Sequence, residues 1–438
     1  MFDLIIKNGT AVTPNGIEPA DIGVAQGRIA ALGTLDAGQA AAVIDAKGLH
    51  VLPGLIDTQV HFREPGLEAK EDLATGTAGA ALGGITAVFE MPNTKPATTT
   101  PDLLADKLAR AKGRAWVDHA FYLGASAENA GQLDVWETMP GCCGVKLFMG
   151  SSTGTLLVDD EPVLRTVLEN GRRRIAVHAE DESRLKERRP LAEAPGASVG
   201  LHPEWRDVET ALRATRRLLT LARSTGRPVH VLHITTAEEI EFLAENRDLA
   251  SVEVTPQHLT LAAPECYERL GTYAQMNPPI REARHQEALW RAVREGVVDC
   301  LGSDHAPHLR AEKDRPYPLS PSGMTGVQTL VPVMLTHVAA GRLSLARFVD
   351  LMAAGPARLF GILGKGRIAR GYDADFTLVD LKAKRRIENS QIASRCGWTP
   401  FDGFEATGWP IATVIRGQVA MRDGRLEGPP IGRPLRFP

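Results

Sequence analysis

A chain of 438 residues, 43% hydrophobic and 24% charged, has the composition of an ordinary globular protein and is long enough for one large barrel with additions. Its formal charge of -3 offers no basic face to nucleic acid, and no apolar run has the length of a membrane span, so a small-molecule partner and a cytoplasmic location are expected. Five cysteines, with Cys142 and Cys143 adjacent, form neither a disulfide framework nor a CxxC metal knuckle and are read as reduced packing residues.

In chain order, residues 1–52 alternate short β-type runs with turns, as in "LIIKNGTAV" and "DIGVAQGRIAALG". Residues 364–438 do the same, with "GRIARGYDADFTLVD" and "PIATVIRGQVAMRDGRL". The two ends are expected to build one small β-sandwich domain around residues 53–363. That middle section has another rhythm. Eight short runs, "GLIDTQVHF", "ITAVFEMPN", "WVDHAFYLGAS", "GVKLFMG", "RIAVHAED", "PVHVLHIT", "SVEVTPQHL" and "VDCLGSDHAPH", alternate with longer amphipathic stretches. One of these stretches, "DVETALRATRRLLTLARST", carries Val208, Leu212, Leu219 and Ala222 at helical spacing, with Asp207 placed to cap its start. Eight strands each followed by a helix predict an α/β fold, a (β/α)8 TIM barrel.

Catalytic residues of such barrels sit at the C-terminal ends of the strands, where these apolar runs turn polar. Found there are Gln59, His61, Asn93, Lys146, His178, His233 and Asp304. A single histidine at a strand end is more often a hydrogen-bonded rim residue, but His61, His178, His233 and Asp304 converging on one mouth point to a metal site. In "PVHVLHIT" the period of two places His233 on the face of Val229 and Val231 and leaves His230 structural. Lys146 stands in an otherwise apolar strand, where an unpaired ammonium is costly, so it is paired, neutral, snorkelling to the rim, or chemically modified. Addition of carbon dioxide as a lysine carbamate would make it a carboxylate-like metal ligand.

The succession "DTQVHFREPG", "FEMPNTKP", "GVKLFMG", "AVHAED", "HVLHITT", "EVTPQHL", "QMNPPIR", "GSDHAPH" and "KGRIARGYDADF" resembles the cyclic-amide hydrolases of the amidohydrolase superfamily over nearly the whole chain. Among them it is most similar to the dihydroorotases. The resemblance implies that Arg63, Asn93 and His308 grip a substrate carboxylate and that Asn277 contacts the ring. A guanidinium offers the fork a carboxylate accepts. It further implies zinc, one or two ions per chain, with His178, His233 and a carbamylated Lys146 around one, and His61, the residue at position 59, Lys146 and Asp304 around the other. Asp304 would be the catalytic base and acid for the interconversion of dihydroorotate and N-carbamoyl-L-aspartate in pyrimidine synthesis. The long loop "DHAPHLRAEKDRPYPLSPSG" is expected to fold over the substrate, and a homodimer is the family's habit.

One departure stands out, because the family pattern at the first strand is His-x-His and this chain reads Gln59-Val60-His61. A neutral amide oxygen is a poorer zinc ligand than imidazole. Three readings follow: one ion with Gln59 hydrogen-bonded beside it, two ions with the amide oxygen as ligand, or a catalytically impaired partner of aspartate transcarbamoylase. Within the enzyme class a hydantoin, dihydropyrimidine or allantoin remains an alternative substrate. Gln257 in "TPQH", where relatives often carry histidine, has no physical account at this level.

Overall fold

The computed structural model describes residues 1–152 and 156–438. Eight parallel strands follow one another in sequence order: β1 Leu55–Val60, β2 Ile85–Glu90, β3 Asp118–Gly124, β4 Cys142–Phe148, β5 Ile175–His178, β6 Val229–Val231, β7 Ala250–Val254 and β8 Cys300–Leu301. Six lie within the runs read from the sequence, while β4 begins two residues and β7 one residue ahead of theirs. All their residues are buried, as expected for a parallel sheet covered on both faces. The barrel closes between its first and last strands, where the His61 amide donates to the carbonyl of His305 at 2.7 Å.

The helix Val208–Thr225 begins where its sequence signature places it. The Asp207 carboxylate accepts from the Thr210 amide, and Leu212, Leu219 and Ala222 are buried against the barrel. Gly226, at φ 70°, ends the helix in the left-handed conformation that favours glycine. The expectation of a helix after every strand is met only nominally behind β3, where a four-residue turn, Leu133–Trp136, stands in. Pro140 and Gly141 follow closely and leave no room for further turns.

The chain ends meet in two further sheets. Four strands from the N-terminal segment pair in the order Arg28–Gly33, Asp21–Ala25, Phe2–Lys7, Ala40–Asp45. A seven-stranded sheet joins both ends of the chain, because His50–Pro53 pairs antiparallel with Phe376–Arg386, Pro53 opposite Phe376 and His50 opposite Val379. Ile6, Ile22, Val24, Val51, Phe376 and Val414 share one core between these sheets, the packing of a β-sandwich. The opposite end of the barrel is plugged from inside by Ile56, Phe89, Tyr122, Leu232, Phe360 and Leu435. All five cysteines are free and buried. Among the described residues no helix is long and apolar enough to cross a membrane.

Candidate active site

At the C-terminal ends of the strands, one cavity is lined by Gln59, His61, Arg63, Asn93, Lys146, His178, His233, Asn277 and Asp304, together with Phe148, Ser152, Ala306, Ser322 and Gly323. Nine of the ten residues singled out in the sequence therefore share it. His308 does not line it and stands behind Arg63, its Nε2 at 3.3 Å from Nη2 of the guanidinium. Ser322 and Gly323 come from the long loop after β8, which was legible as a loop but not at the level of these two residues.

Regular strand geometry stops just before the site. The pairing of β1 with β2 shifts register between Asp57 and Val60, so Thr58 points inward to the Glu253 carboxylate (2.6 Å) while Gln59 and His61 reach the cavity. Three of the seven non-glycine residues with positive φ among the described residues belong to the site: Arg63 (65°), His233 (39°) and Asp304 (44°). Such backbone is costly for these residue types and collects at functional sites. His233 corrects the alternation argument. Val229 and Val231 face the helices outside the barrel, so a regular strand would turn His233 outward with them. Its left-handed backbone brings it into the cavity instead.

His230 does face the barrel interior. Its Nδ1 meets Ser251 Oγ at 2.8 Å, and its Nε2 lies 3.5 Å from Glu253 and 3.6 Å from Cys300. These three side chains lie close enough together to hold an ion. Thr58 and the Cys300 thiol both donate to Glu253 Oε2, while Glu253 Oε1 is buried without a partner.

A carboxylate fixes the roles of the two His178 nitrogens. His178 Nε2 is 2.8 Å from the Glu180 carboxylate, which commits its N–H there and leaves Nδ1 as a lone pair facing His233 Nε2 at 3.1 Å. Two nitrogens on one tetrahedral zinc stand about 3.3 Å apart, so this pair has the spacing of two ligands. His61 is held from both sides, its Nδ1 2.7 Å from Asn93 Oδ1 and its Nε2 3.2 Å from Asp304 Oδ1. Burial lowers the pKa of all three histidines, most strongly at His233, and keeps them in the neutral form a metal needs.

Gln59 donates from Nε2 to the same Asp304 oxygen at 3.0 Å, while its Oε1 is buried without a hydrogen-bond partner. Asp57 accepts from the backbone amides of Gln59 and Ser303 and so ties the ends of β1 and β8 together; burial raises its pKa to about 7. Lys146 is 1% exposed, with Nζ 4.4 Å from the centre of the Phe148 ring, and burial lowers its pKa to about 7. The lowered pKa favours the free amine, the form that adds to carbon dioxide.

Arg63 is also 1% exposed. Its Nε donates to the Pro307 carbonyl at 3.1 Å, and no carboxylate forms an ion pair with it among the described residues. Burial lowers its pKa to about 10, which leaves it a cation at neutral pH. Neighbouring His308 is held neutral, its pKa lowered to about 3 by burial and by the nearby Arg63 and Lys70 cations. Asn277 places Oδ1 3.0 Å from His202 Nε2, and its Nδ2 faces Ser152 Oγ at 3.4 Å.

Residues 50–420 match the family model described as the amidohydrolase family. The chain is 35% identical to a dihydroorotase of Methanosarcina mazei over 98% of its own length and 96% of that protein's. It is 34% identical to an allantoinase of Deinococcus radiodurans, covering 99% of each. The solved structure of the L-hydantoinase (dihydropyrimidinase) from Arthrobacter aurescens superposes with a TM-score of 0.94 at 32% identity, over 99% of this chain and 100% of that one.

Proposed function

The chain belongs to the amidohydrolase family, and from that premise we propose that it is a dihydroorotase, interconverting dihydroorotate and N-carbamoyl-L-aspartate. The observation that carries this choice over a hydantoin or allantoin substrate is Arg63, a buried cation in the cavity wall with no carboxylate partner of its own. An unpaired buried guanidinium is expensive, and a carboxylate on the substrate completes it with a two-pronged hydrogen bond. Dihydroorotate carries that carboxylate on its ring; the reaction belongs to pyrimidine synthesis.

The donor set fits a divalent ion: His178 Nδ1 and His233 Nε2 face each other, and Lys146 as its carbamate would be the third ligand. Zinc is the choice these nitrogen ligands favour, and when bound it polarises the ring carbonyl and makes hydroxide available near neutral pH. Gln59 supports the single-ion reading. Its amide N–H donates to an Asp304 oxygen, so position 59 serves the base.

Arg63 orients the ring by its carboxylate, and Asn277 also lines the cavity. Asp304 takes a proton from the attacking water, whose oxygen adds to the ring carbonyl carbon. The ring C–N bond breaks, and Asp304 returns the proton to the departing nitrogen. The reverse sequence closes the ring. Asn93 keeps the His61 ring in its orientation beside Asp304.

The test is a steady-state assay with dihydroorotate and N-carbamoyl-L-aspartate on wild type and Arg63→Ala, with metal content measured on the same samples. The expected result is turnover by wild type and a loss of about 100-fold or more in kcat/KM in the variant at unchanged metal content. Retained activity in the variant sinks the carboxylate assignment.

A further inference from the structure

The polar contacts behind His178 continue past Glu180 into an ion pair. The same Glu180 oxygen that receives the His178 N–H lies 3.4 Å from Arg206 Nη2. All three side chains are at most 2% exposed. Arg206 in turn donates from both terminal nitrogens to the carbonyl of Ser151, from Nη1 at 3.1 Å, and its guanidinium sits 5.3 Å from the Trp205 ring. Ser151 immediately precedes Ser152 in the cavity wall, and its own amide donates to Glu182 at 2.7 Å.

We propose that Glu180 and Arg206 are positioning residues for the ion site, with Glu180 holding His178 in the tautomer and ring orientation that present Nδ1, and Arg206 holding Glu180. The inference rests on the reading of His178 as a metal ligand. The imidazole can turn about its own axis and can carry its proton on either nitrogen. Only a fixed acceptor at Nε2 makes Nδ1 a standing lone pair. A carboxylate in that place also makes the ring a stronger donor to a cation. Burying that carboxylate alone would be costly, and Arg206 supplies both its counter-charge and an anchor to the backbone behind β4. Lysine in place of Arg206 offers a point charge and cannot span the Glu180 oxygen and the Ser151 carbonyl with a planar fork.

The experiment is zinc affinity of the full chain by chelator competition, for wild type, Glu180→Gln, Glu180→Ala, Arg206→Lys and the double variant Glu180→Gln with Arg206→Lys. Far-UV circular dichroism checks folding. Glutamine retains an acceptor but loses the charge, so about 10-fold weaker zinc is expected; alanine leaves the N–H unpaired, and about 100-fold is expected. Because the two residues act in series, the double variant should be no weaker than Glu180→Gln alone. Folded variants that bind zinc within about twofold of wild type overturn the inference.

A measurement on wild type decides the matter even where a variant does not fold. Histidine 15N NMR of the metal-free protein, with His178 identified by signals lost in His178→Asn, should show the proton on Nε2, whereas a proton on Nδ1 overturns the inference. A wild-type chain that binds no zinc overturns the proposed function with it. Zinc bound by wild type with Glu180→Gln unaffected removes this inference alone.

Discussion

Gln59 and Lys146 show how much the chemistry of single residues decides here. Replacing Gln59 by histidine restores an imidazole beside Asp304 and removes the amide N–H that occupies its oxygen. Zinc content is expected to rise from about one to about two ions per chain in Gln59→His; two tightly held ions already in wild type would contradict the single-ion reading. Lys146 gives a pH dependence of the metal-free chain. Its folded pKa is about 7 because burial disfavours the ammonium, while the unfolded chain keeps the usual 10.5. Between those values the unfolded chain binds the extra proton, so this residue makes stability rise with pH across that window and contributes no slope below it. Urea denaturation at several pH values, with carbon dioxide excluded, should show wild type gaining stability relative to Lys146→Met between about pH 7 and 10. Parallel curves would mean that the lysine is not held neutral.

At the scale of elements, two loops act as one clamp. The loop after β1 carries Arg63 and the loop after β2 carries Asn93, and they dock backbone to backbone where the Lys95 amide donates to the Pro65 carbonyl at 2.9 Å. Gly66 makes that approach possible. Its φ is 88°, and a Cβ there would lie 2.1 Å from the Lys95 carbonyl oxygen. Gly66→Ala is expected to cost about 1–3 kcal/mol and to lower kcat/KM for dihydroorotate by separating Arg63 from Asn93, checked by thermal denaturation and kinetics. An unchanged midpoint and rate would show that the loops move apart freely. The sequence made the eight strands and the capped helix Val208–Thr225 legible because hydrophobic period and capping chemistry are local signals. It did not reveal the register shift in β1 or the left-handed backbone of His233 and Asp304, since both depend on neighbours distant in the chain. His233 lines the cavity although the alternation of its strand would turn it outward. Glu180, two residues past His178, carried no periodic signal and acquires meaning only from its contact with Arg206.

At the scale of the whole molecule, the barrel separates stability from chemistry. One end is filled by aromatic and aliphatic side chains, with Phe89 and Phe360 edge to face at 5.0 Å. The other end gathers polar groups from the first, second, fourth, fifth, sixth and eighth strands around one cavity. A resemblance spread over nearly the whole chain was legible in the motif order, but dihydroorotase, hydantoinase and allantoinase relatives share this architecture, so fold alone does not choose the substrate. The choice rests on the unpaired charge of Arg63. The measurement that addresses it is the rate of ring opening of dihydroorotate against dihydrouracil, the same ring without the carboxylate, on one zinc-loaded sample. A preference for dihydroorotate of about 100-fold or more in kcat/KM is expected. Equal rates, or faster opening of dihydrouracil, would contradict the carboxylate role of Arg63 and return the protein to the hydantoinase and dihydropyrimidinase side of the family.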